Sequence, residues 1–399
     1  MSPSAKTNVR RLAVARAISL TGSAAAYLAL VDWIFVETGS SRWVAAVLLA
    51  TEGVSGLVGP VTGALGDRFD RRRVMIVSDL SSSAFFLAMS FAGTPGLMLA
   101  LGFGSAVSES PFWSASGAAI PNLVESDDDI SWANGLIAVG RNAGITIGPM
   151  LGGVLVAVLD ARWVFAINAL SFVVSAALVS SVRGRFSGER GEEEKHGGLA
   201  AGVVFLARDR VLRRITMAWV VLVAGTAAVM VADRPLAELF GAGSLGFGAI
   251  ISCWGAGSIV GSLAGRRMSQ RTEPVWLVAG TGLVAAGGLG TWLSPVFWPI
   301  LAFSFTWGFG DALSLVAEQG IRQRRTPDEV RSRVMAAADG AVHATMAVGF
   351  MASGFLIESL GAQGVYGLGG AASGIAALLL LPLIGVLRRS GSLVAEEVS

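Results

Sequence analysis

Apolar residues in this chain come in runs of about 20, separated by short polar stretches. A helix rises about 1.5 Å per residue, so such a run matches a hydrocarbon core of ~30 Å. Twelve runs are read, beginning near Leu12, Trp43, Val74, Gly96, Ala133 and Val164, then near Ile215, Gly246, Val275, Phe297, Val334 and Val365. The pattern predicts an all-α polytopic membrane protein of twelve transmembrane helices in two pseudo-symmetric six-helix bundles, 1–182 and 215–399, with a cytoplasmic connector over 183–214. The connector carries the charged stretch "RGRFSGERGEEEKHGG" and then "LAAGVVFLA", which is too short to cross and suits an interfacial helix. The first run, Leu12 to Val36, is too long for a signal-peptide core and is expected to stay as a membrane helix.

Composition agrees with this pattern and excludes a soluble globular chain: 53% of the 399 residues are hydrophobic, only 15% are charged, and the mean hydropathy is +0.65. Charge placement then sets the orientation. Of the 30 Lys and Arg, 26 fall in the N-terminal tail, the even-to-odd loops, the connector and the C-terminal tail. Arg42, Arg162 and Arg234 fall on the other side and Arg141 lies inside a run. The positive-inside rule therefore puts both termini in the cytoplasm. Lysine occurs only at positions 6 and 195, and Ala, Gly and Val abound, which suits a GC-rich bacterial genome and a cytoplasmic (inner) membrane.

The halves repeat. "GPVTGALGDR" from Gly59 is matched by "GSIVGSLAGR" from Gly257, and "GPMLGGVLVAVLDA" from Gly148 by "GFMASGFLIESLGA" from Gly349. Two parallel repeats around a central site are a transporter plan.

Several stretches resemble the major facilitator superfamily. "GALGDRFDRRR" is similar to its motif A through Gly63, Asp67, Arg68, Arg71 and Arg72. The resemblance implies a cytoplasmic gate, with the aspartate near the start of the eleventh helix and Asp79 bonding the loop arginines. "NGLIAVGRNAGITIGPMLGGVLVAVLD" resembles motif C, the antiporter motif, through Gly135, Gly144, Gly148, Pro149, Gly152 and Gly153. That motif marks exporters, and its glycines let helices approach closely. "PNLVESDDDISWANGL" and "RRTPDEVRSRVMA" are similar to loops of the drug-efflux branch that includes macrolide and siderophore exporters. Two departures weigh on proton coupling: the fourth run lacks the arginine of motif B, and Ser332 stands where a glycine is common.

Ionisable groups at membrane depth mark functional positions. Glu109 and Arg141 each lie about ten residues from the cytoplasmic end of their runs, roughly 15 Å deep, so they are expected to pair. Asp311 and His343 are their approximate repeat-mates, and histidine titrates near neutrality, which nominates this region for proton carriage, with a structural buried hydrogen-bonded pair as the alternative. Asp32 and Asp233, 201 residues apart, would line the outer cavity, with Arg234 able to neutralise one of them. Trp113 and Trp307 could stack on a flat ligand. Glu52, Glu318 and Asp339 are further candidates at the cavity, the interface and the latch.

No phosphate loop, catalytic constellation or metal-ligand set is present: the chain has two histidines and one cysteine. The expected protein is therefore a monomeric transporter, not an enzyme, with no cofactor. Its expected partners are a small amphipathic molecule, protons and the lipid bilayer, and no nucleic acid. Export by proton antiport leads; import, or lipid transport on the same fold, stays open.

Overall fold

The computed structural model describes residues 3–53, 69–124, 127–182, 186 and 199–396. Among these there is no strand. The helices are α1 (Pro3–Thr38), α2 (Ser41–Leu48) running into one π turn (Leu49–Gly53), α3 (Arg71–Met89), α4 (Pro95–Leu123), α5 (Asp127–Leu159) and α6 (Ala161–Ser181). There follow α7 (Leu199–Arg208), α8 (Arg210–Leu239), α9 (Gly243–Gly265), α10 (Glu273–Leu293), α11 (Phe297–Arg325) and α12 (Asp328–Glu396). Seven described helices are long and apolar enough to cross a membrane. Large apolar side chains also face outward: Val348, Met351 and Phe355, spaced at i, i+3 and i+7 on α12, are 64%, 64% and 63% exposed, a stripe that water would not tolerate but lipid would.

Local signals explain where helices begin. Asp70 caps α3 by accepting from the Arg73 amide at 3.0 Å, and Asp209 caps α8 by accepting from Val211 and Leu212 at 2.8 and 2.9 Å. Pro95 opens α4, where its missing N–H leaves no bond unmade.

The longest element, α12, contains a break at Gly361, with φ 73° and ψ 165°. Its apolar stretch, Arg333–Gly385, would extend about 80 Å if straight. Instead α8, at Ala224 to Ala227, touches Gly349 before the break and Gly369 and Ala372 after it, so the chain reverses there. The equivalent turn 201 residues earlier is made by Asp160, the one described non-glycine residue with positive φ, at 83°. Asp160 compensates by capping α6, its Oδ1 accepting from the Arg162 amide at 3.0 Å. Gly39 and Gly241, 202 residues apart, likewise share positive φ values of 60° and 66°. The sequence repeat is thus also a repeat of backbone turns.

The chain separates into two compact units, Met1–Glu192 and Glu193–Ser399. Inside the first, Leu12, Met75, Phe112, Ile137, Val179 and Phe186 share a core drawn from α1, α3, α4, α5, α6 and the segment after it. Inside the second, Val211, Ile215, Leu277, Ile321 and Leu380 do the same for α8, α10, α11 and α12.

Candidate functional site

The glycine comb on α5 packs closely against α1. A Cβ on Gly144 would lie 3.1 Å from the Thr21 amide, one on Gly148 2.6 Å from Ala24 Cβ, and one on Gly152 2.6 Å from the Ala25 carbonyl oxygen. Three positions at i, i+4 and i+8 therefore let α5 touch the backbone of α1. Gly135 faces open space and takes no part. The side chains of Pro149, Gly153 and Arg141 lie outside the described residues. In the second unit the first arm of α12 repeats the contact, where a Cβ on Gly349 would lie 2.6 Å from Ala227 Cβ.

Glu109, on α4, accepts a hydrogen bond from Ser23 of α1 at 3.2 Å. Its charge also lies within electrostatic range of Glu52 on the π turn and Asp79 on α3. One turn along α4, Trp113 carries the guanidinium of Arg16 over its ring at 4.6 Å from the centroid. Trp113 is thus covered from within its own unit, and Arg16, which the sequence groups with the N-terminal basic residues, is buried.

The loop arginines behave differently from the expectation. Arg72 donates to the Ser180 carbonyl and lies 5.9 Å from the Phe186 ring, while Arg71 donates to the Phe186 carbonyl at 3.5 Å. Neither reaches Asp79. The Ser180 carbonyl lies in the last turn of α6, at the negative end of that helix's dipole, which favours the Arg72 guanidinium there. Gly63, Asp67 and Arg68 lie outside the described residues.

In the second unit Asp233, buried on α8, accepts a hydrogen bond from the Tyr366 hydroxyl on the second arm of α12. Trp307 on α11 meets Tyr366 edge-on at 5.9 Å. Arg234 does not neutralise Asp233; it pairs with Glu238 at 2.8 Å, one turn along the same helix. Tyr366 is one of only two tyrosines in the chain, and that rarity within an apolar run is the signal by which it could have been found. Asp32 is buried on α1.

Asp311 and His343 form no hydrogen bond or ion pair with each other among the described residues. His343 is exposed, and its Nδ1 donates to the Asp339 carbonyl at 2.8 Å, the bond available to a side chain one helical turn on. The Asp339 carboxylate meets Arg322 at 3.3 Å, and Arg322 is in turn tightly paired with Glu318. Glu318 and Arg322 are both buried. Arg324 pairs with Glu273 and Arg325 with Asp209 at 3.0 Å. The last turns of α11 therefore hold the starts of α8, α10 and α12 through three arginines.

Long apolar helices, close glycine contacts and buried charged groups together define a helical membrane transporter. Its family is the Major Facilitator Superfamily, to which the chain belongs: the family's sequence profile matches residues 12–233 and 217–397. The enterobactin exporter EntS of Citrobacter koseri is 25% identical over 362 residues, covering 88% of this chain and 85% of that one. The uncharacterized transporter YfiS of Bacillus subtilis is 26% identical over 353 residues, 86% of this chain and 82% of its own. BacE of Bacillus amyloliquefaciens, named as a candidate bacilysin exporter, is 27% identical over 185 residues, and this match spans less than half of either chain, 45% of each. Among solved structures, the nucleoside transporter NupG superposes with a TM-score of 0.75 at 10% identity, over 94% of this chain and 99% of that one. A bacterial homologue of the iron transporter ferroportin gives 0.73 at 14% identity, over 96% and 100%. At these identities the superpositions speak for the fold alone.

Proposed function

We propose that this chain exports small amphipathic molecules, of the drug, macrolide or siderophore kind, from a bacterial cytoplasm by alternating access driven by inward proton movement. The observation that carries the reading is the near full-length similarity to proteins named as enterobactin exporters, which extends to 95% of this chain in the relative from Salmonella choleraesuis. The contact of Gly144, Gly148 and Gly152 with α1 supports it, because motif C resembles an exporter's packing face. In this reading α1 to α6 supply six crossings, α8 to α11 four, and the two arms of α12 the last two. Segments 1–182 and 215–399 act as the two bundles of one monomer, both termini are cytoplasmic, and α7 lies on the membrane surface within the connector. Glu109, Arg141, Asp311 and His343 serve the proton path; Asp32, Asp233, Trp113 and Trp307 serve the cavity; the loop from Gly63 to Arg72 serves the gate.

The test is accumulation of lipophilic cations, macrolides and siderophores in efflux-deficient cells expressing the chain, with and without a protonophore. The expected outcome is reduced accumulation that the protonophore abolishes. Reduced accumulation that survives the protonophore removes proton coupling and keeps export. Increased accumulation makes the chain an importer, and lipid redistribution in vesicles without drug flux makes it a lipid transporter; either outcome overturns the reading.

A further inference from the structure

The short helix α7 has an inner and an outer side, and both are apolar. On the inner side, Gly202 lies so close to the Arg333 carbonyl at the start of α12 that a side chain there has no room. On the outer side, Val203 and Val204 are 49% and 48% exposed, and Ala207, one turn on, is exposed with them. A helix facing water would carry polar residues on that side. Only Arg208, which ends the helix and is also exposed, does so.

Beyond Asp209 the outer stripe of α8 changes character along its length. Arg210, Arg213, Arg214 and Met217 fall at i, i+3, i+4 and i+7, one face of a helix, and all four are exposed, Met217 by 55%. Met217 stands about 4.5 Å further along the axis than Arg214, so the stripe passes from guanidiniums to apolar surface within one turn. The two helices meet at this level, where Arg213 donates to the Ala207 carbonyl at 2.7 Å. Cations in the first turn of a helix oppose its dipole, and here acids do not offset them. The three arginines that end α11 are each held by an acid. Among the described residues no acid pairs with Arg208, Arg210 or Arg214. Asp209, between them, is taken by the α8 amides and by Arg325.

An exposed apolar face beside unpaired guanidiniums is complementary to a lipid whose chains cover the valines and whose phosphate meets the arginines. A phosphate with no ammonium in its own headgroup leaves that charge free for them, and a zwitterionic lipid does not. We propose that α7 and the first turn of α8 form a binding surface for an anionic phospholipid, with Arg208, Arg210 and Arg214 at its phosphate and Val203, Val204 and Met217 against its chains. This rests on the placement of α7 at the membrane surface and is independent of the direction in which the chain transports.

The experiment is thermal unfolding of the purified full-length protein in detergent, titrated with phosphatidylglycerol against phosphatidylcholine of the same chains. Phosphatidylglycerol should raise the midpoint saturably, as a ligand of the folded state does, and at far lower concentration than phosphatidylcholine. Arg208→Gln, Arg210→Gln and Arg214→Gln together should raise the half-saturating phosphatidylglycerol concentration by about a hundredfold, roughly fivefold for each charge at a lipid surface. The midpoint of this variant without added lipid should equal the parent's, because the three side chains are exposed. Arg266→Gln, Arg267→Gln and Arg271→Gln together remove as many exposed arginines from the turn after α9 and should leave the phosphatidylglycerol response nearly unchanged. Equal responses to the two lipids, or equal losses in the two triple variants, would overturn the proposal. So would a response that appears only when Glu192, Glu193 and Glu194 are replaced by glutamine, since the connector's own acids would then hold the arginines. A fluorescent label on Val203→Cys, made in a Cys253→Ser background, reads the placement of α7 separately. Quenching by spin-labelled lipid of either headgroup keeps α7 at the membrane surface even where headgroup selectivity fails; no quenching removes the placement and the proposal together. Selective lipid binding by a chain that exports nothing removes the export reading alone.

Discussion

In the first unit the buried acids on α3 and α4 face hydroxyls: Glu109 takes a hydrogen bond from Ser23, and Asp79 lies beside Ser175. In the second unit the acids around the last turns of α11 face guanidiniums: Glu318 and Asp339 share Arg322, Glu273 meets Arg324, and Asp209 meets Arg325. The difference matters because arginine never gives up its charge in a protein, so its ion pairs tie together the helices they join. A hydroxyl makes no such demand. An acid facing hydroxyls can exchange a proton without breaking a charge pair. The same repeated fold thus carries arginine clamps at the end of α11 in one unit and hydroxyl-faced acids on α3 and α4 in the other.

The largest expected effect tests the clamp. Arg322→Ala leaves Glu318, 2% exposed, as a buried charge without its partner, and such breaks cost about 3–5 kcal/mol. Unfolding of the detergent-solubilised protein should show that loss. Replacing Glu318 and Arg322 together by leucine and methionine should recover most of it, since a buried pair can give way to apolar groups of similar volume. Asp79→Asn, which removes an acid without orphaning a cation, should show no comparable loss. If it costs as much as Arg322→Ala, the contrast between the units fails.

The next effects concern features the two units share. Gly148→Val and Gly349→Val each place new carbons about where Ala24 and Ala227 already stand, and overpacking of this kind costs about 1–3 kcal/mol. Gly135→Ala, which meets open space inside a helix, should cost nothing and gain up to about 1 kcal/mol from the better helix former. Matching losses at Gly148 and Gly349 would establish that the two contacts are equivalent in energy as well as in sequence. Tyr366→Phe removes the donor to buried Asp233 and should cost about 1–3 kcal/mol, less when Asp233→Asn accompanies it.

These residues also mark what the sequence makes legible. Apolar runs follow directly from the length a bilayer demands, so the all-helical membrane class is readable, and the stretches from Gly148 and Gly349 that hold Asp160 and Gly361 carry the repeat. The glycine comb was readable too, because close helix contact leaves little choice but small side chains. Pairings were not. Depth along a run says that Asp233 and Arg234 lie at one level, but the helical step of about 100° per residue points adjacent side chains in different directions. Arg234 therefore finds Glu238 one turn on, and Asp233 finds Tyr366 on another helix. His343 was legible as a titratable group at depth, yet the carbonyl one turn before it is always within reach, and that local bond wins. Ser23 and Ser175, which face Glu109 and Asp79, carry no charge and leave no signal in the sequence.

The smallest expected effect separates cap from clamp at the base of α8. Asp209 accepts from the Val211 and Leu212 amides and pairs with Arg325, but the pair is partly open to solvent, with the side chains 20% and 35% exposed. Exposed pairs contribute about 0–1 kcal/mol and weaken with salt. Arg325→Ala should therefore cost less than about 1 kcal/mol, and the loss should shrink further in high salt. Asp209→Asn keeps an N-cap acceptor while removing the charge, so its cost should equal that of Arg325→Ala. Asp209→Ala removes both and should cost about 1 kcal/mol more, the usual worth of an N-cap, with that increment unmoved by salt. If Asp209→Asn instead costs several kcal/mol, the outer end of the clamp is as tightly coupled as Glu318 with Arg322, and the three arginines of α11 act as one unit instead of one strong bond with two weak attachments.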